Sequence, residues 1–304
     1  MPKPRKLTNT FAYVIIASFV LSITLLSCEK QVNIHLNSGA SNLVVEGQIE
    51  NGLPPFVVLT TSQSFFSQID LSTIEGSFVH GANVTVSDSS RTITLREYTL
   101  DTGGSYNFYV YTIDSSDPGS FSFVGEIGRS YTLTINYNGK TYTSTAKIPT
   151  PMHIDSLTTK PPIQTDSKYP TEISLFINFT DPDTPGNYVK YFTKRNSEPY
   201  FAGDTYSDEV TNGAPVNFPI FPGHNTQNPD SGWARRFFIG DTVTVKWASI
   251  DKGVYNFWET FQYATNVVGN PFASPINVQS NISNGALGVW AAYGSTNTTL
   301  IITH

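Results

Sequence analysis

The sequence predicts a mainly β protein: an N-terminal immunoglobulin-like or transthyretin-like β-sandwich, followed by a second β-rich domain with one amphipathic helix. Three observations predict it. Apolar and polar residues alternate along residues 42–148 at the two-residue period of half-buried strands. Turn signals rich in Gly and Asn separate those runs. One stretch, residues 251–267, breaks to helical spacing.

The chain opens with Lys3, Arg5 and Lys6 and no acid before residue 28, then an apolar run over residues 11–26. That is the layout of a secretory signal. The run falls short of the roughly 20 apolar residues a membrane span needs, and Ser18, Ser22 and Thr24 interrupt it. Leu25-Leu26-Ser27-Cys28 then stands where a bacterial lipoprotein signal is cut and its cysteine acylated with diacylglycerol and palmitate, so Cys28 is the expected lipidation site. Cys28 is the only cysteine, so a lipidated chain has no disulfide and rests on core packing alone. Loss of residues 1–27 removes three positive charges and takes the net charge from −6 to −9. An acidic surface disfavours nucleic acid and anionic headgroups, which leaves the N-terminal lipid as the membrane contact.

Residues 28–41 read as a tether with a short strand at 32–36, and the first domain runs over 42–149. Its strands are marked by Leu43, Val45 and Gly47; Val84 and Val86; Ile93 and Leu95; Tyr106, Phe108 and Val110; and Tyr131, Leu133 and Ile135. Asn138-Gly139, between runs 131–137 and 140–147, is a strong hairpin signal. Prolines at 149, 151, 161, 162 and 170 then interrupt regular pairing and mark the boundary to a second domain, 150–304. Strand patterns return at 172–179, 188–194, 237–239, 242–250 and 298–303. Between them, residues 199–233 are rich in Gly, Pro, Asn and Asp and read as a long loop. In the helix near 252–267, Val254, Phe257, Trp258, Phe261 and Ala264 form one stripe and Asp251 caps the N-terminus. Such a stripe is more often core than ligand face.

No catalytic motif emerges, and the chain reads as non-enzymatic and without a cofactor. The five histidines stand at no metal-ligand spacing and no Gly-x-Ser-x-Gly elbow occurs. Asp181 and Asp183, two positions apart beside Gly186 and Asn187, offer the one weak Ca²⁺ pattern, although a turn uses the same residues for its own backbone. Asp204, Asp208 and Glu209 read as solvated surface. Aromatic residues in expected loops, namely Phe65, Phe66, Tyr200, Phe201, Tyr206 and Trp233, are the candidate contacts for a ligand or partner.

Several stretches carry a family resemblance. They include Leu43-Val44-Val45-Glu46-Gly47, Gly81-Ala82-Asn83-Val84-Thr85-Val86 and Gly240-Asp241-Thr242-Val243-Thr244-Val245. Gly269-Asn270-Pro271-Phe272-Ala273-Ser274-Pro275 and Gly285-Ala286-Leu287-Gly288 complete the set. In these the chain resembles the lipoproteins of the domain of unknown function 4249 family. The resemblance implies an outer-membrane lipoprotein of a Gram-negative bacterium with an accessory role beside a TonB-dependent receptor, and no catalytic residues to carry across. Glu29 after the cysteine, rather than aspartate, fits outer-membrane sorting. A surface glycan-binding or adhesion module is the alternative reading, and a carboxylate hydrolase the least favoured.

Overall fold

Alternation becomes strand wherever one face of a segment is buried. The computed structural model describes residues 41–63, 70–101, 103–104, 106–209, 213–224, 232–268, 274 and 276–303. The signal, Cys28, the tether, Phe65, Phe66 and Pro271 lie outside them. The described residues belong to one compact unit.

Among the described residues seven strands form before Pro149: β1 (Leu43–Glu50), β2 (Phe56–Thr61), β3 (Asn83–Ser87), β4 (Thr92–Asp101), β5 (Asn107–Ile113), β6 (Ser130–Tyr137) and β7 (Lys140–Lys147). A short helix, α1 (Leu71–Glu75), follows β2, capped by the Asp70 carboxylate, which accepts from the Thr73 N–H at 2.7 Å. Asn138 and Gly139 both have positive φ, 48° and 72°, as the two-residue turn between β6 and β7 requires.

After Pro149 come β8 (Ser156–Lys160), β9 (Glu172–Thr180), β10 (Tyr188–Arg195), β11 (Phe201–Ser207), β12 (Pro215–Ile220), β13 (Phe237–Phe238), β14 (Thr242–Ile250), helix α2 (Lys252–Asn266) and β15 (Leu287–Ile301). The expected loop over 199–233 therefore contains two strands. Both are edges: β11 ends the large sheet and β12 pairs only with β9. Prolines at 215 and 219 read as loop in the sequence, yet an edge strand accepts them because one side needs no donors.

The large sheet has the order β11-β10-β14-β15-β1-β2-β5-β4-β3-β6-β7. Strand β15 joins its halves. Residues 287–293 pair in parallel with β1, and residues 294–301 pair antiparallel with β14. Beyond β1 the sheet curls until β7 comes back toward the start of β15. There the Ser283 N–H donates to the Thr143 carbonyl at 2.8 Å, and the Thr143 N–H donates to the Ser283 hydroxyl at 2.7 Å. The enclosed core contains Val45, Ile49, Leu59, Val84, Tyr131, Leu133 and Ile135, together with Trp290 and Ala292 from β15. Trp290 packs against Gly47, where a Cβ would come within 2.8 Å of its ring. Gly47 therefore sits in mid-strand for close packing.

Past β15 the sheet is covered on both faces. On one face Leu175, Ile177 and Phe179 of β9 pack against Val189, Tyr191, Val243, Val245 and Trp247. On the other, Val254 and Phe257 of α2 bury Ala248, Ile250, Val289, Ala291 and Tyr293. Among the described residues no helix is long and apolar enough to cross a membrane.

Candidate ligand-binding site

The pairing of β10 with β11 slips by one residue. Lys190 faces Thr205 but Phe192 faces Ala202, so Gly203 and Asp204 together oppose Tyr191. A bulge of this kind bends its strand and re-aims the groups on it. Here it turns the Gly203 carbonyl toward helix α2, where it accepts from the Lys190 ammonium and, at 2.8 Å, from the Gln262 side-chain amide. The helix is thereby tied to the edge strand. A Cβ on Gly203 would fall 1.9 Å from the Tyr191 ring, so the bulge needs glycine.

Lys190 is fully buried, and its ammonium sits 4.4 Å from the centre of the Trp258 ring. Desolvation pulls its pKa down to about 7, although the charges of Asp204 and Glu259 act in the opposite direction. Beneath it the Tyr191 hydroxyl donates to Asp204 at 3.4 Å and accepts from the Phe221 N–H at 3.3 Å. Burial, then the Asp204 charge, raise the Tyr191 pKa well above that of an ordinary phenol.

Between bulge and helix lies an open cleft of about 650 Å³, within the size range of small-molecule sites. Its walls include Asp204, Phe221, His224, Arg235, Phe261 and Gln262. Phe221 and Phe261 are 58% and 41% exposed, large for phenyl rings in a folded body. A second cavity of similar size, about 630 Å³, lies at Asp88 and Arg129. There Arg129 pairs with Asp88 and Glu126, each at 2.9 Å, so the charged groups answer one another. The cleft at the bulge is the better candidate site.

The aromatic residues singled out from the sequence divide. Tyr206 is core: its ring packs edge-on to Phe179 at 5.1 Å and beside Trp247 at 6.1 Å. Phe201 begins β11 and is partly buried. Tyr200 lies under Lys246, whose ammonium is 4.9 Å from its ring and is held by Glu50 at 2.8 Å. Trp233 is half-exposed, tilted against Phe238 at 4.4 Å and edge-on to Tyr169 at 5.1 Å. Trp233, next to Ala234 and Arg235, and Phe201, next to Ala202 and Gly203, adjoin the wall of the cleft, and neither lines it. Tyr191, Phe221, Trp258 and Phe261 are the cleft aromatics that sequence reasoning had not placed there, and the helical stripe containing the last two was the available signal.

Two of the acidic residues, Asp181 and Asp208, serve the backbone. Asp181 accepts from the Gly213 N–H at 3.3 Å, and its burial, together with the charge of Asp208, raises its pKa. Asp208 is buried, not solvated, and accepts from the N–H groups of Gly186 and Asn187 at 3.1 and 2.9 Å. Among the described residues no three His, Cys, Asp or Glu side chains gather in a way that could hold a metal ion.

No curated protein matches the chain. The family model described as "Domain of unknown function (DUF4249)" matches residues 29–299, nearly the whole sequence after Cys28, and the chain belongs to that family.

Proposed function

We propose that this protein is a non-enzymatic lipoprotein, held at the outer membrane by acylation of Cys28, which binds a ligand or partner beside a TonB-dependent receptor. The observation that carries the binding part is the open cleft at the β10–β11 bulge, where exposed rings and polar groups converge on a preformed wall. The leader and the isolated Cys28 support the anchor.

Two measurements test the reading. Replacing Cys28 by Ser should move the protein from the detergent phase to the aqueous phase on phase separation and abolish acyl labelling; unchanged partitioning overturns the anchor. Affinity isolation of the full chain from solubilised outer membrane should recover a TonB-dependent receptor. Recovery of this protein alone, from cells in which the receptor is present, overturns the accessory role.

A further inference from the structure

We infer that the cleft at the bulge is a binding site for a neutral oligosaccharide, lying along Phe221 and Phe261 and hydrogen-bonded by Asp204, Arg235 and Gln262. The inference rests on the ligand-binding reading above and names the class of ligand.

Shape gives the first argument. A second hollow, about 440 Å³, is lined by Glu172, Phe221, Gly232, Arg235 and Arg236. It shares Phe221 and Arg235 with the cleft, so the two hollows adjoin at those side chains and together offer an extended groove to one ligand. A groove of that form suits a chain of rings better than a single ring. It is open to water along its length, and a purely apolar ligand would leave much of its surface wet.

Chemistry gives the second. An aromatic face carries negative quadrupole density. The C–H groups on one face of a pyranose ring are weakly positive and flat enough to lie on it, which lets Phe221 and Phe261 act as platforms. The ring hydroxyls, which both donate and accept, then need partners of both kinds. Asp204 accepts, Arg235 donates in a planar fork, and the Gln262 amide does both.

Charge gives the third. The groove mixes Asp204 and Glu172 with Arg235, Arg236 and His224 and presents no field of one sign, which a phosphate or a cationic peptide would require. Lys190, the cation that would favour an anion, is already spent on the Gly203 carbonyl and covered by Trp258. The same contacts fix the helix against the strand, so little ordering is left for binding to supply.

The test is calorimetric titration of the full chain in detergent with maltohexaose, cellohexaose, xylohexaose and mannohexaose, each alongside its disaccharide, and with inorganic phosphate. At least one hexasaccharide is expected to bind with Kd below about 1 mM and at least tenfold more tightly than its disaccharide, with no heat from phosphate. Phe261→Ala and Asp204→Asn should each weaken binding about tenfold or more in protein that keeps the circular dichroism of the folded chain. Binding untouched in Asp204→Asn and in a Phe221→Ala variant of unchanged melting temperature overturns the site. Heat from phosphate but from no sugar overturns the ligand class. No binding by any glycan, with the receptor still recovered from membrane, defeats the carbohydrate assignment and leaves the partner role standing. Glycan binding without receptor recovery does the reverse.

Discussion

Lys190 shows what a single side chain exchanges for a fixed position. It has left water completely, and its pKa has fallen from the ordinary 10.5 to about 7 because desolvation outweighs Asp204 and Glu259. In the unfolded chain the lysine keeps its proton to about pH 10.4. Between the two values the unfolded state binds more protons, so stability rises with pH across that window, and below pH 7 the burial cost is fully felt. Lys190→Met is expected to flatten the rise between pH 7 and 10 and to add on the order of 2 kcal/mol at pH 6. Urea unfolding at pH 6, 8 and 9.5 measures both. Gly203→Val should cost about 2 kcal/mol or more, since its Cβ would run into the Tyr191 ring, and a thermal melt shows it. At this scale the sequence was informative about type and poor about place. Tyr206 and Trp233 sat in one Gly- and Pro-rich segment and looked alike, yet one is core and the other half-exposed. Burial depends on which strand faces them across space.

Among the elements, α2 was the most legible, because its signals are all local. The Asp251 carboxylate accepts from the Val254 N–H at 3.0 Å, and the stripe buries Val254 and Phe257. Asp251→Ala is expected to lose about 1 kcal/mol, seen as a fall in melting temperature of about 2–4 °C. The same stripe leaves Phe261 exposed on the cleft, so core and ligand face divide one helix between them. Strands β1, β3 to β7, β9, β10 and β14 were visible as alternation. The pair at β13 and residues 298–301 of β15 were also expected, β2 and β8 were missed, and β11, β12 and the rest of β15 hid for separate reasons. In β11 the bulge at Gly203 and Asp204 breaks the period. Two prolines mask β12. In β15 residues 289–295 are buried in succession, on both faces of the sheet, which erases alternation where the strand is most important.

The molecule as a whole turns on that strand. Each side of Pro149 has its own apolar core, as two β-rich segments in series suggest, but the first core takes Ile282, Ala286, Trp290 and Ala292 from the chain's far end. The Trp290 indole N–H donates to the Tyr131 carbonyl at 3.0 Å, across 159 residues. A fragment of residues 41–149 is therefore expected to stay unfolded alone and to gain structure when a fragment of residues 150–304 is added; circular dichroism of the separate and mixed fragments decides it. Nothing local announces a parallel pairing between first and last strands, so this part of the architecture was closed to sequence reading. The pairing also orders events in time. A ribosome makes β1 to β7 long before β15, and until β15 appears the groove over Gly47 that Trp290 fills lies open, with Val57 at its edge. The N-terminal half must wait as an incomplete sheet exposed to aggregation, and completion depends on closing the longest loop in the chain. This protein is thus expected to become native only once β15 has been made.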